Sequence, residues 1–149
     1  MKAYWRFLAM IATSTVVMLG LTYLTTYQWD HVFFSETRTY MALVMGAAMA
    51  VIMLSFMWKM YSNPRANIAI VIGSAVLFAI SLWMVRSQAT VDDVSYMKAM
   101  IPHHSIAILT SGRANIRDPR VRKLADGIIE TQEREITEMK ALIRDLDSK

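Results

Sequence analysis

Met97-Lys98-Ala99-Met100-Ile101-Pro102-His103-His104 is the stretch on which the reading of this chain turns. It gathers two of the three histidines with two methionines inside two helical turns, near the start of the only part polar enough to stand in water. On a helix, Asp93, Met97, Met100 and His104 follow 4-3-4 spacing and share a face with Ala107 and Ile108. His103 falls about 100° away, on the shoulder. Thr90-Val91-Asp92-Asp93 supplies a start, with Thr90 as N-cap and a carboxylate three positions on, and Gly112 supplies a stop after about Ser111. Asp118-Pro119 begins a second helix, Asp as N-cap and Pro at its first position. Val121, Leu124, Ile128, Ile136, Met139, Ile143 and Leu146 then give it a one-faced apolar pattern. Residues 87–149 therefore read as a helical hairpin.

Before the hairpin lie three apolar runs, Phe7 to Tyr27, Thr39 to Trp58 and Ala66 to Val85, none carrying Asp, Glu, Lys, Arg or His. Each approaches or exceeds the roughly 20 residues that cross a bilayer core, so residues 1–86 read as a three-helix transmembrane region. Tyr4, Trp5, Tyr23, Tyr27 and Trp29 mark the two interfaces of the first span. That run is too long for a signal peptide and lacks a small-residue cleavage pattern, so it is expected to be retained. Lys2, Arg6, Lys59 and Arg65 fall on one side, Arg38 and Arg86 on the other. The positive-inside rule then puts the N-terminus in the cytoplasm and residues 87–149 on the periplasmic or extracellular side of a plasma membrane.

The net charge of +4 is not a nucleic-acid footprint. Residues 87–149 hold ten Lys/Arg against ten Asp/Glu, and the excess sits beside the spans, where it orients helices. Loop residue His31 is expected to be solvated rather than a ligand. The second span carries Met41, Met45, Met49, Met53 and Met57, with Met60 following. Adaptable packing is preferred for these over a thioether ladder conducting Cu(I), and both readings stay open. Gly46 and Ala50 form a small-xxx-small pair that suits a close helix crossing.

Without cysteine, neither disulfides nor thiolate ligands are available, and a soft ligand must be methionine. On the second arm Gln132, Glu135 and Met139 interrupt seam positions that a plain bundle fills with leucine. A buried Gln or Glu without a partner costs on the order of 1–3 kcal/mol, so a metal or a histidine should satisfy them. Pro102 removes an amide donor and is expected to kink its helix, turning His103 and His104 toward a shared site. Imidazole with thioether suits a copper ion, Cu(I) before Cu(II). Zinc remains an alternative that leaves the methionines unexplained. A carboxylate-bridged di-iron centre needs Glu-x-x-His, and no histidine follows His104. Two helices alone bury too little to stand in water, so two hairpins from two chains are expected to close a four-helix bundle, as a homodimer or higher oligomer.

Asp93, Met100-Ile101-Pro102-His103-His104, Ala107 and Gln132-x-x-Glu135-Ile136-x-x-Met139 resemble the signature of the bacterial family called domain of unknown function 305. The resemblance covers about residues 90–146. It implies a ferritin-like helical bundle and metal handling, since some members are secreted or periplasmic copper-binding proteins. The metal positions it implies are His103, His104, Met97, Met100 and Met139, with Glu135 in second rank. Many members carry the hairpin twice, whereas this chain carries it once behind three spans, which favours a site shared between subunits. The expected function is a membrane-anchored copper-binding protein that sequesters or delivers copper outside the cytoplasm. No nucleophile–base pair, phosphate loop or acid–base dyad marks an enzyme. The rivals are an oligomerisation module without metal and a copper conduit through the Met-lined span.

Overall fold

Three helices begin on a side chain that caps them. Asn63 accepts from the amides of Arg65 and Ala66, Asp92 from Ser95, and Asp118 from Arg120. The structure is a computed structural model describing residues 2–148. Its helices are α1 (Lys2–Leu21), α2 (Glu36–Phe56), α3 (Pro64–Ser87), α4 (Asp93–Arg113) and α5 (Pro119–Asp147). Short 3-10 turns lie at Thr22–Thr25, Trp29–His31 and Trp58–Met60. No strand occurs among the described residues, as the all-helical reading requires. Lys149, counted above among the hairpin's charges, lies outside the described residues.

Two boundaries differ from the sequence reading. The cap of α4 is Asp92 rather than Thr90. The Thr90 hydroxyl is taken up by Tyr40, 2.8 Å away, while Asp92 Oδ1 accepts the Ser95 amide at 2.7 Å. That amide holds the Asp92 carboxyl below its ordinary range. Gly112 does not end α4, which runs on through Arg113 and leaves in an extended conformation at Ala114. No glycine adopts positive φ among the described residues, so a left-handed stop is not used there.

The chain folds as two compact units. The first holds α1, α2 and α3, each long and apolar enough to cross a membrane; α1 and α3 leave most of their side chains exposed, whereas most of those of α2 are buried or half-buried. Phe7, Ala50 and Leu54 form its buried centre, with Tyr61, Ile11 and Met53 packed against them. Asn67, buried in α3, is satisfied by the Tyr4 hydroxyl at 2.8 Å and by donating to the Tyr61 carbonyl at 3.1 Å. Met41 and Met45 face outward while Met53 packs inward, so the methionine stripe turns from surface to interior along α2. At Gly46 the small-residue signal has a concrete cause: an added Cβ would overlap the Thr15 hydroxyl of α1, itself bonded to the Ile11 carbonyl. Gly46→Ala should therefore lower thermal stability in detergent by about 1–3 kcal/mol. Thr15→Ala in the same chain should restore most of it, and circular dichroism melts of the two variants check this.

The second unit joins α4 and α5 to the loop 23–36. Met97, Ile101, Ile108, Ile136 and Ile143 form its core, and Phe33 of the loop packs on it. Burying Ile101 completely contributes about 1.5–3 kcal/mol. The apolar pattern of α5 is not one face but two adjoining stripes. Ala125, Ile136 and Ile143 are buried, whereas Val121, Leu124, Ile128, Leu142 and Leu146 stay exposed.

His31 is the largest departure. It is buried, not solvated, with Nδ1 2.9 Å from Ser105 Oγ on α4. The fully buried Ser105 oxygen also accepts the Tyr27 amide at 2.7 Å. Beside it Lys140 of α5 grips Asp30 at 2.5 Å. Burial, reinforced by the Lys140 charge, pushes His31 below its ordinary pKa, although Asp30 opposes this. The loop thus supplies the hairpin with cover from its own chain.

Candidate metal centre

Pro102 sits inside α4 without breaking it, its ring buried. Two residues on, His104 turns back along the helix, and its Nδ1 lies 3.0 Å from the Met100 carbonyl oxygen. A carbonyl only accepts, so hydrogen-bond logic puts the hydrogen on Nδ1. Nε2 then points across the hairpin to Glu135 Oε2 of α5, 2.8 Å away. With Nδ1 protonated, that short approach needs a hydrogen between the two atoms, or a cation accepted by both. The His104 side chain is 13% exposed and that of Glu135 41%, so the pair lies at the edge of the core, within reach of solvent.

Around this pair opens a cavity of about 530 Å³. Met97, Met100 and His104 line it from α4, and Glu135 and Met139 from α5. The arms of one hairpin thus bring together five of the six residues singled out by sequence, without a second subunit. His103 is not brought in. It is exposed, its ring centroid 6.2 Å from that of His104 and the planes inclined by 63°. Adjacent residues on a helix point about 100° apart, and Pro102 does not offset that rotation. Gln132 is half-buried on α5 and also stays outside the lining.

Asp93, Glu138 and Asp145 add carboxylates to the cavity wall, and Tyr96, Leu142 and Leu146 add apolar surface. Glu138 and Asp145 were missed in the sequence reading. Their signal was there, since Glu135, Glu138, Leu142 and Asp145 follow 3-4-3 spacing on one side of α5. Together the acids make the cavity attractive to cations. Among the described residues, no three His, Asp or Glu side chains converge closely enough to hold an ion by themselves.

The position of this hairpin in the chain coincides with a known sequence family. Residues 86–149 match the model of the Domain of unknown function (DUF305). Uncharacterized protein L153 of Acanthamoeba polyphaga mimivirus is 35% identical over 106 residues, covering 70% of this chain and 68% of that protein. The chain belongs to the DUF305 family. A match of that length cannot be contained within residues 86–149, so the likeness to the viral protein reaches into the part of the chain that precedes the DUF305 region. No solved structure matches the chain. In this DUF305 protein, the family region holds both arms of the cavity, whereas the loop that covers the hairpin lies outside it.

Proposed function

We propose that this DUF305 protein is a membrane-anchored metal-binding protein that holds copper between α4 and α5, and sequesters or delivers it on the periplasmic or extracellular side. One observation carries the reading: the thioethers of Met97, Met100 and Met139 share a cavity with an imidazole whose Nδ1 is tied to a backbone carbonyl. Metal-binding histidines are commonly oriented in that way, leaving Nε2 as the donor. Soft thioethers beside one imidazole suit Cu(I), and a carboxylate at Glu135 would serve Cu(II) or zinc as well. The copper is cargo here, with no chemistry for the protein to perform on it, and the function is binding rather than catalysis.

A second reading draws on the same pair. His104 and Glu135 satisfy each other at 2.8 Å, as polar packing in an oligomerisation module would. Competition titration of the full chain in detergent against a chromogenic Cu(I) chelator separates the two. The metal reading expects His104→Ala to lose at least about tenfold in affinity, the lower end of what even an outer-shell partner costs. Equal affinity of variant and parent would overturn it in favour of polar packing.

A further inference from the structure

The second stripe of α5 is a heptad seam that its own hairpin leaves uncovered at four of eight positions, while Met139 packs on the hairpin core and Glu135 and Gln132 are half-buried. Val121, Ile128, Glu135 and Leu142 recur every seven residues, and Ala125, Gln132, Met139 and Leu146 recur at the intervening offset of four. Ala125 is buried at the border with the first stripe, but Val121, Ile128, Leu142 and Leu146 remain 36–49% exposed. An apolar row of this length on a 29-residue helix is what a helical partner covers.

We propose that the seam is covered by the same seam of a second copy, running antiparallel, so that the partner's Gln132 reaches Glu135 beside the cavity. This takes up the homodimer expected of the hairpin and adds its orientation and the residue the partner contributes. The polarity of the seam decides the direction. Parallel pairing sets Glu135 against Glu135, two like charges in a drying interface. Antiparallel pairing about the middle of Pro119–Asp147 sets Gln132 against Glu135, an amide donor against a carboxylate, and does so twice by symmetry. The other layers are then apolar throughout: Ile128 against Met139, Ala125 against Leu142, and Val121 against Leu146. A single polar layer between apolar ones is a recognised way of fixing register in paired helices. The partner's Gln132 also covers the water-facing side of Glu135, which is otherwise open to solvent.

No cysteine occurs among the described residues or elsewhere in the sequence, so introduced thiols report the pairing without background. Val121 and Leu146 are about 37 Å apart along one helix, too far for a disulfide within a chain. Full-length protein carrying Val121→Cys together with Leu146→Cys, oxidised mildly in detergent, should run as a covalent dimer. Each single variant should run as a monomer. Cross-linking of either single variant would show parallel pairing and overturn the proposal. If the double variant loses helicity, Ile128→Cys with Met139→Cys, about 16 Å apart along one helix, replaces it. Failure of a helical double variant to cross-link also overturns the proposal. Copper takes no part in the assay, so the metal reading can fail while this one stands, and the reverse.

Discussion

A Ser105→Ala chain should release the loop 23–36 from the hairpin. Ser105 Oγ accepts the Tyr27 amide and meets His31 Nδ1, and it is fully buried, so alanine leaves both groups without a partner where water cannot readily replace it. Each such group costs about 1–3 kcal/mol, a large fraction of what can hold a segment that Phe33 and the Asp30–Lys140 pair also anchor. Hydrogen exchange should show Tyr27 to His31 losing protection while the middle of α5 keeps it. Unchanged protection at Tyr27 would mean that Ser105 does not hold the loop. Acid should act in the same direction. His31 is held below its ordinary value of 6.5, so between that value and its lower folded pKa the undocked loop takes up a proton that the docked loop refuses. Docking stability is therefore full above about pH 6.5 and is lost as the pH falls through the folded value. Asp30, held below its ordinary 3.8 chiefly by the Lys140 hydrogen bond, adds a second loss as the pH falls below 3.8. His31→Gln, which cannot titrate, should remove the first of these two steps and keep the second.

Replacing Met97, Met100 and Met139 together by leucine should abolish tight Cu(I) binding while leaving the hairpin folded. Leucine and methionine differ little in volume, so the core that Met97 and Met139 help to form survives at a cost below about 1.5 kcal/mol per site. What disappears is every sulfur facing the cavity. His104 and Glu135 remain, a donor set harder than the original, so Cu(II) or zinc should be affected far less than Cu(I). Affinities for the two oxidation states, measured by competition on the same preparation, test this selectivity directly. Parallel losses for both ions, or no loss of Cu(I), would show that the thioethers are not ligands.

The helical class, the three membrane-type helices and the Asp118-Pro119 start were legible because each rests on local signals: long apolar runs and a capping side chain. The face carrying Met97, Met100 and His104 was legible for the same reason, being a matter of helical period. Thr90 was misread because a hydroxyl and a carboxylate two residues apart both suit an N-cap, and only the Tyr40 contact removes the first from competition. The double stripe of α5 merged into one because neighbouring heptad rows differ by a single step of rotation, and burial alone separates them. His31 could not be placed from sequence, since its partner Ser105 lies 74 residues away. Nothing within a helical turn of either residue announces the other.

The loop 23–36 also bears on how the DUF305 region can be used by evolution and by experiment. Phe33, His31 and Asp30 are borrowed from between the first two helices, so the stretch 86–149 should lose stability when cut free: it would bare the Ser105 hydroxyl, the Lys140 ammonium and part of the isoleucine core. Moving the hairpin behind a different anchor should therefore preserve its stability best when that loop, or three replacement side chains, comes with it.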